Sequence, residues 1–335
     1  APDAAQKGPS CALTPTDFMA TSRPRPYPVE EEPEFRADRA PPAAAPRGAL
    51  AAGKASHLIT ATVAFFCVRF VSLPMCGHLT RALEAMWPAA LRPYLDPAQD
   101  DTAVLMGCSA LSAYLVVAVG LCSLLDCHPE AHRYKTQGHR SIFTWDQWTR
   151  AVAVGLSNIL LFSWFATIPA WQLQRRGGGS GAWDTPLSLP NELACFAVHV
   201  VTIDVWFYVT HRALHLPLLY KWIHKFHHAF KAPAAIACVY ANPIEFCVGN
   251  VGGVVLGPAL TRCHPYAAAY WLAFALTSTS LAHSGYRAFG AEEHDAHHEH
   301  FSWNFGVGIL MDRALGTCLP EGLRARGAKK IMKRS

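Results

Sequence analysis

Charge is scarce in this chain. Asp, Glu, Lys and Arg make up 16% of its 335 residues while hydrophobic residues make up 51%, and the mean hydropathy is +0.14. A soluble domain usually carries about 25% charged residues, so the composition argues against a soluble fold and for a membrane protein. The net charge of +5 is mild, and no long basic run with interleaved aromatics exists, so nothing points to nucleic acid. The 11 cysteines contain no C-x-x-C pair, which removes a cysteine zinc site and a thiol redox motif. They lie scattered in apolar stretches, as Cys67, Cys108, Cys195 and Cys247 do, and read as buried, reduced thiols facing a cytosolic redox compartment. The start of the chain has no apolar core of the kind a secretory signal needs.

Long apolar runs are plentiful. A bilayer core takes about 20 apolar residues per helix. Ala103 to Leu125 holds no charge and is the clearest span; Ala151 to Trp171 follows, with Pro169 near its end. Leu58 to Met75 is interrupted by Arg69, and Leu193 to Val209 by His199 and Asp204. The expected fold is all-α: a polytopic membrane helical bundle with a cytosolic, histidine-rich di-metal cap. The expected organisation is a disordered, Pro-rich lead-in over 1–55, transmembrane helices over 56–190, a histidine-box region over 191–320 and a basic tail over 321–335.

Two shorter apolar pieces, Phe246 to Leu260 and Tyr266 to Leu281, flank Thr261 to Pro265 and read as a hairpin, re-entrant in its simplest form. A hairpin returns the chain to the side it left. What precedes and follows it therefore faces one side of the membrane. Loop charge assigns that side. Segment 126–150 holds four Lys or Arg, whereas 77–102 and 173–192 hold two each, so the positive-inside bias puts the flanks of the hairpin in the cytosol.

Those flanks carry the chemistry. HRALH (211–215), HKFHH (224–228) and HDAHH (294–298) gather eight of the chain's 17 histidines into fifteen positions. On a helix, residues i, i+3 and i+4 share a face, so each box can offer two or three imidazoles to one point. Eight convergent imidazoles exceed what one tetrahedral ion uses and suit two ions. Imidazole accepts Fe, Zn, Cu and Ni, so spacing alone does not name the metal. No box has the Glu of a zinc-protease H-E-x-x-H helix, and no E-x-x-H carboxylate pair of a soluble di-iron bundle is present.

The order HRALH, HKFHH, HDAHH resembles the fatty acid hydroxylase/sterol desaturase superfamily of membrane di-iron enzymes. Asp204 with FYVTHRALH, YKWIHKFHHAFKAP, LAHSGY and HDAHHEHFSWNFG followed by MDRALGT carry the resemblance, over roughly residues 190 to 318. Within that superfamily the chain is similar to methylsterol monooxygenases and to cholesterol 25-hydroxylase, the latter through CHPYAAAYW…HSGY. The resemblance implies two irons, replaceable by zinc, held by His211, His215, His224, His227, His228, His294, His297 and His298, with His283 as a further ligand. It also implies dioxygen as cosubstrate, electrons from cytochrome b5 or a reductase, a sterol or other lipid entering from the bilayer, and an endoplasmic reticulum address. Two departures stand out: Asn242 occupies a position where many methylsterol members have His, and only ten residues separate His283 from His294.

Of the remaining polar residues, Asp204 is expected to support box histidines, His199 to be a packing residue, and Glu245, three after Asn242, to face the site with it. His300 is left outside the site. Arg212 and Arg313 read as interfacial or salt-bridged. The expected activity is O2-dependent hydroxylation of a lipid, by 4-methyl or side-chain oxidation of a sterol. Sterol desaturation and fatty acyl or sphingoid hydroxylation share the same boxes. The reading from another class is a membrane protein that only binds lipid or metal.

Overall fold

The computed structural model describes residues 49–94, 96, 100–176, 186–308 and 310–320. Most of the expected lead-in and the basic tail lie outside these residues. A helix begins at Ala49, inside the stretch expected as lead-in. Among the described residues there is no strand, only one isolated bridge between Lys135 and Tyr286.

Five helices are long and apolar enough to cross a membrane: α1 (Ser56–Met86), α2 (Asp101–Asp126), α3 (Trp145–Leu173), α4 (Leu189–Leu214) and α5 (Pro243–Thr261). The fold is an all-α polytopic membrane bundle. Large apolar side chains on the outer faces, among them Phe65, Phe70, Leu161 and Val201, are exposed, as lipid contact requires. Arg69 does not break α1. It sits on the outer face with its guanidinium 5.5 Å from the Phe70 ring centroid.

The hairpin is longer than its apolar pieces suggested. α5 and α6 (Pro265–His283) run for 19 residues each, about 28 Å at 1.5 Å per residue, which is close to a hydrocarbon core of about 30 Å. They are two continuous helices joined by a tight turn. The turn is made by Arg262 at φ 53° and by the His264 side chain, which accepts the Tyr266 N–H at 3.2 Å. α6 packs on α1 and α2, and α5 packs on α3 and α4.

The chain does insert non-helical backbone elsewhere. Residues 233–241, just after the second box, are all buried between α2, α3 and α6. Backbone groups at such depth must be satisfied by protein. The Tyr114 hydroxyl donates to Ile236 O at 3.1 Å. The Asn158 amide donates to Val239 O at 2.9 Å and to Ala241 O at 3.0 Å. Gly155, one turn before Asn158, allows the approach: a Cβ there would lie 2.5 Å from the Tyr114 hydroxyl and 3.0 Å from Val239.

The ten residues between His283 and His294 are enough to close the site. Gly285 at φ +74° and Gly290 at φ +75° bracket a 3₁₀ turn at Arg287–Phe289. The segment is pinned from outside by residues 126–141. Thr136 N donates to Gly285 O at 2.8 Å. The buried Lys135 ammonium lies 2.7 Å from an Asp126 carboxylate oxygen, which also accepts the Tyr286 hydroxyl at 2.8 Å.

Candidate metal centre

All nine histidines singled out in the sequence meet. They form two groups, His211, His215, His224, His228 and His297 in one, His227, His283, His294 and His298 in the other, with one nitrogen per residue and all nitrogens of a group within 4.8 Å of one another. His300 stands outside both groups, as expected.

The grouping departs from one box, one point. Only the first box, at the end of α4, acts that way. The second box is a 3₁₀ turn, His224–Ala229, and the third lies in α7 (Glu292–His300). In both, the i and i+3 rings stand nearly parallel, at 25° for His224 and His227 and 24° for His294 and His297, and the two members serve different groups. The i/i+4 pairs stay together: 211/215 and 224/228 in the first group, 294/298 in the second. The i+3 histidine of each H-x-x-H-H box crosses over, His297 into the first group and His227 into the second. The two centres are thereby interlocked, and neither can form without the other's helix.

Proton placement fixes what these rings can do. An imidazole whose Nδ1 faces an acceptor carries its proton there and leaves Nε2 as a bare lone pair. His211 Nδ1 faces Phe305 O at 2.7 Å, His297 Nδ1 faces Trp303 O at 2.7 Å, and His283 Nδ1 faces Thr279 O at 2.8 Å. His227 Nδ1 faces Tyr240 O and His298 Nδ1 faces Phe230 O, both at 3.1 Å. His224 Nδ1 faces a Glu245 carboxylate oxygen at 2.9 Å. Six of the nine Nε2 atoms are therefore lone pairs, turned inward by acceptors behind the ring.

The nine Nε2 atoms stand 2.9 to 3.2 Å apart along His211–His224–His215–His297–His228 and His283–His294–His298, and 3.4 Å apart from His227 to His283. In two of these pairs, His211–His224 and His227–His283, both nitrogens are such lone pairs, which repel at that range unless a cation lies among them. Two nitrogens bound at right angles to one ion, each about 2.1 Å away, stand about 3.0 Å apart. The donor set therefore fits two imidazole-bound metal ions. Protonation is disfavoured as well. Burial lowers His227 to about 4 and His297 to about 3. Burial, with neighbouring imidazoles adding to it, holds His228, His294 and His298 well below the usual imidazole range.

The outer partners correct two expectations. Asp204 touches no histidine. Its carboxylate accepts the N–H groups of Gly308 at 2.7 Å and Met311 at 2.9 Å. Asp312 accepts those of Phe305 at 2.9 Å and Gly306 at 2.7 Å. Together they hold the turn whose carbonyls aim His211 and His297, a turn that also needs Phe301 at φ 60° and Asn304 at φ 57°. Asn242 is a helix cap: its side-chain oxygen accepts Ile244 N–H at 3.0 Å, and it belongs to neither histidine group. Glu245 does reach the site, through His224. His199 is a packing residue, bonded to Thr261 at 2.8 Å and pressed on Gly257, where a Cβ would lie 2.8 Å from its ring. Asp312 and Asn158 were given no role from sequence; a polar residue deep in an apolar run is the signal that marks Asn158.

The histidines border a cavity of about 2250 Å³ lined by residues of α1 to α6. Phe196, Ile203 and Phe207 of α4 and Tyr270, Phe274 and Ala282 of α6 line it, and His211, His224, His227, His283 and His294 border it.

Fold and site together define a polytopic helical membrane protein with two adjoining polyhistidine centres bordering a largely apolar cavity. Residues 196–317 match the family model described as Fatty acid hydroxylase. Among curated proteins it is 32% identical over 207 residues to "Fatty acid hydroxylase ahd1" of Mycosarcoma maydis, covering 60% of this chain and 54% of that one. It is 38% identical over 124 residues to human "Fatty acid hydroxylase domain-containing protein 2", covering 36% and 37%. It is 38% identical over 156 residues to "Methylsterol monooxygenase erg25B" of Aspergillus fumigatus, covering 42% and 53%. The match thus spans about half or less of these relatives' own length. No solved structure matches the chain.

Proposed function

We propose that this chain is a membrane-bound, dioxygen-dependent lipid hydroxylase, an oxidoreductase with two irons, acting on a sterol by 4-methyl or side-chain oxidation. The observation that carries the reading is the set of inward Nε2 lone pairs bordering a largely apolar cavity. The similarity to proteins named as methylsterol monooxygenases supports a sterol substrate.

In the overall change one oxygen atom enters a C–H bond of the lipid and the other leaves as water, with two electrons supplied from outside the chain by cytochrome b5 or a reductase and two protons from solvent. His211, His215, His224, His228 and His297 hold one ion, and His227, His283, His294 and His298 the other. The bound irons would supply dioxygen activation and C–H cleavage. The chain's own part is positioning and exclusion. Backbone carbonyls and Glu245 keep the Nδ1 protons in place, so the inner nitrogens stay unprotonated. The aromatic walls of α4 and α6 bind and orient an apolar substrate and keep bulk water from the reacting end.

Lipid profiling of a sterol-producing host with and without the chain tests this. A new hydroxysterol, or consumption of a 4-methylsterol, is expected. An unchanged sterol profile with the protein accumulating in the membrane overturns the sterol assignment, and a new hydroxylated acyl or sphingoid chain would replace it. The loop charges favour a cytosolic histidine end, and the likeness to methylsterol monooxygenases favours an endoplasmic reticulum membrane. A glycosylation acceptor in the 173–192 loop should be modified and one on the tail should not; the reverse pattern would overturn the orientation.

A further inference from the structure

We propose that Asn158, a polar residue in the middle of the apolar helix α3, is a positioning residue for the second metal centre. It would act through the inserted segment 233–241 on His227. The inference rests on the metal reading above and adds to it a residue remote from every box.

Asn158 is 1% exposed and lies near the midpoint of a 29-residue span. An amide at that depth is costly unless both of its ends are used. Both hydrogens of its nitrogen go to carbonyls, Val239 O at 2.9 Å and Ala241 O at 3.0 Å, and the two carbonyl partners fix which end of the amide is nitrogen. These two residues bracket Tyr240: the bonds hold the 239–240 and 241–242 peptides, and the 240–241 peptide that carries the Tyr240 carbonyl lies between them. The Tyr240 carbonyl is the acceptor behind His227 Nδ1, at 3.1 Å. The Tyr240 ring is held in turn, stacked on Phe226 at 4.4 Å and set edge-on to Phe230 at 5.0 Å.

His227 is the histidine that crosses from the second box into the second group. It borrows no neighbour from its own box there: His224 and His228 both serve the first group. Its Nε2 stands 3.4 Å from that of His283. Without an i+4 partner in its own group, its aim depends on the Tyr240 carbonyl behind its ring. Loss of an outer hydrogen bond behind a metal-bound imidazole typically costs 10–100-fold in metal affinity. Loss of Asn158 should fall at the low end, about tenfold, because the Tyr240 rings still hold part of the geometry.

The test is metal titration and metal content of the full-length, detergent-purified protein, using ferrous ion and, separately, zinc as probes. The variant is Asn158→Leu, which keeps the volume and removes both donors. The control is Tyr114→Phe, which removes the segment's other anchor, at Ile236, four residues from Tyr240. We expect two ions per chain in the unmodified protein and in Tyr114→Phe. In Asn158→Leu one ion should bind normally and the second about tenfold more weakly. Two ions at unchanged affinity in Asn158→Leu would overturn the proposal. So would an equal loss in Tyr114→Phe, which would mean that any loosening of the segment suffices. If Asn158→Leu does not accumulate, Asn158→Ser, whose hydroxyl is too short to reach both carbonyls, is read in the same way. Absence of metal from the unmodified protein would instead count against the hydroxylase reading itself, so the two failures are distinguishable.

Discussion

An imidazole that donates from Nδ1 has only Nε2 to offer a metal, and in this protein the partners behind the rings decide the chemistry at the residue scale. Glu245 is the one carboxylate among them. Glu245→Ala should leave His224 free to turn and weaken the first ion by about 10–100-fold, with the second ion unaffected; titration of the two sites checks this. Asn242 gives the contrast. As a helix cap, Asn242→Ala should cost about 1 kcal/mol of stability and leave both ions in place, so an unfolding midpoint and a metal assay on the same sample separate a cap from a ligand. Much of this scale was legible in the sequence. The eight box histidines announce themselves by spacing, His283 only by the family resemblance, and Glu245 only as a candidate three residues after Asn242. The acceptors did not, because a backbone carbonyl belongs to any residue: Phe305 serves His211 across 94 positions, and nothing in the side chain at 305 marks it.

At the scale of elements, the spans follow from apolar runs, and their extra length comes from helix that continues past the bilayer core at either end. The run after the second box, PAAIACVYA, carries no pattern that marks its place; it is buried among helices, where Asn158 and Tyr114 satisfy three of its carbonyls. The 3₁₀ form of the second box was equally out of reach, since HKFHH fits an α-helix by spacing alone. Gly155 tests how tightly the inserted segment is seated. Gly155→Ala would put a methyl 2.5 Å from the Tyr114 hydroxyl, and overpacking of that kind costs about 1–3 kcal/mol. Adding Tyr114→Phe removes the nearest clashing atom and should restore part of the loss. Thermal unfolding of the single and double variants measures both, and a Gly155→Ala protein as stable as the parent would contradict the packing.

At the scale of the molecule, a membrane bundle carries a buried store of neutral imidazoles, and that makes its stability depend on pH. His227 and His297 have folded-state values of about 4 and about 3 against an ordinary value of 6.5. Both are depressed, so as pH falls below 6.5 the unfolded chain takes up protons that the folded chain refuses. The stability these groups contribute is complete above 6.5 and declines as pH falls towards about 4 and about 3. Proton competition for Nε2 acts in the same direction on bound metal. The unfolding temperature and the metal content should therefore fall together as the buffer is taken from roughly pH 7 to roughly pH 5. A flat profile over that interval would contradict the neutral, proton-excluding core.

The central claim is that nine histidines from three boxes and one helix end make two interlocked metal centres. Metal content per chain, measured on catalytically active full-length protein loaded with ferrous ion, tests it most directly, together with the His283→Gln variant. The account predicts two ions in the parent and one in the variant, with the variant still accumulating in the membrane. One ion in the fully active parent, or two in His283→Gln with undiminished turnover, would contradict it.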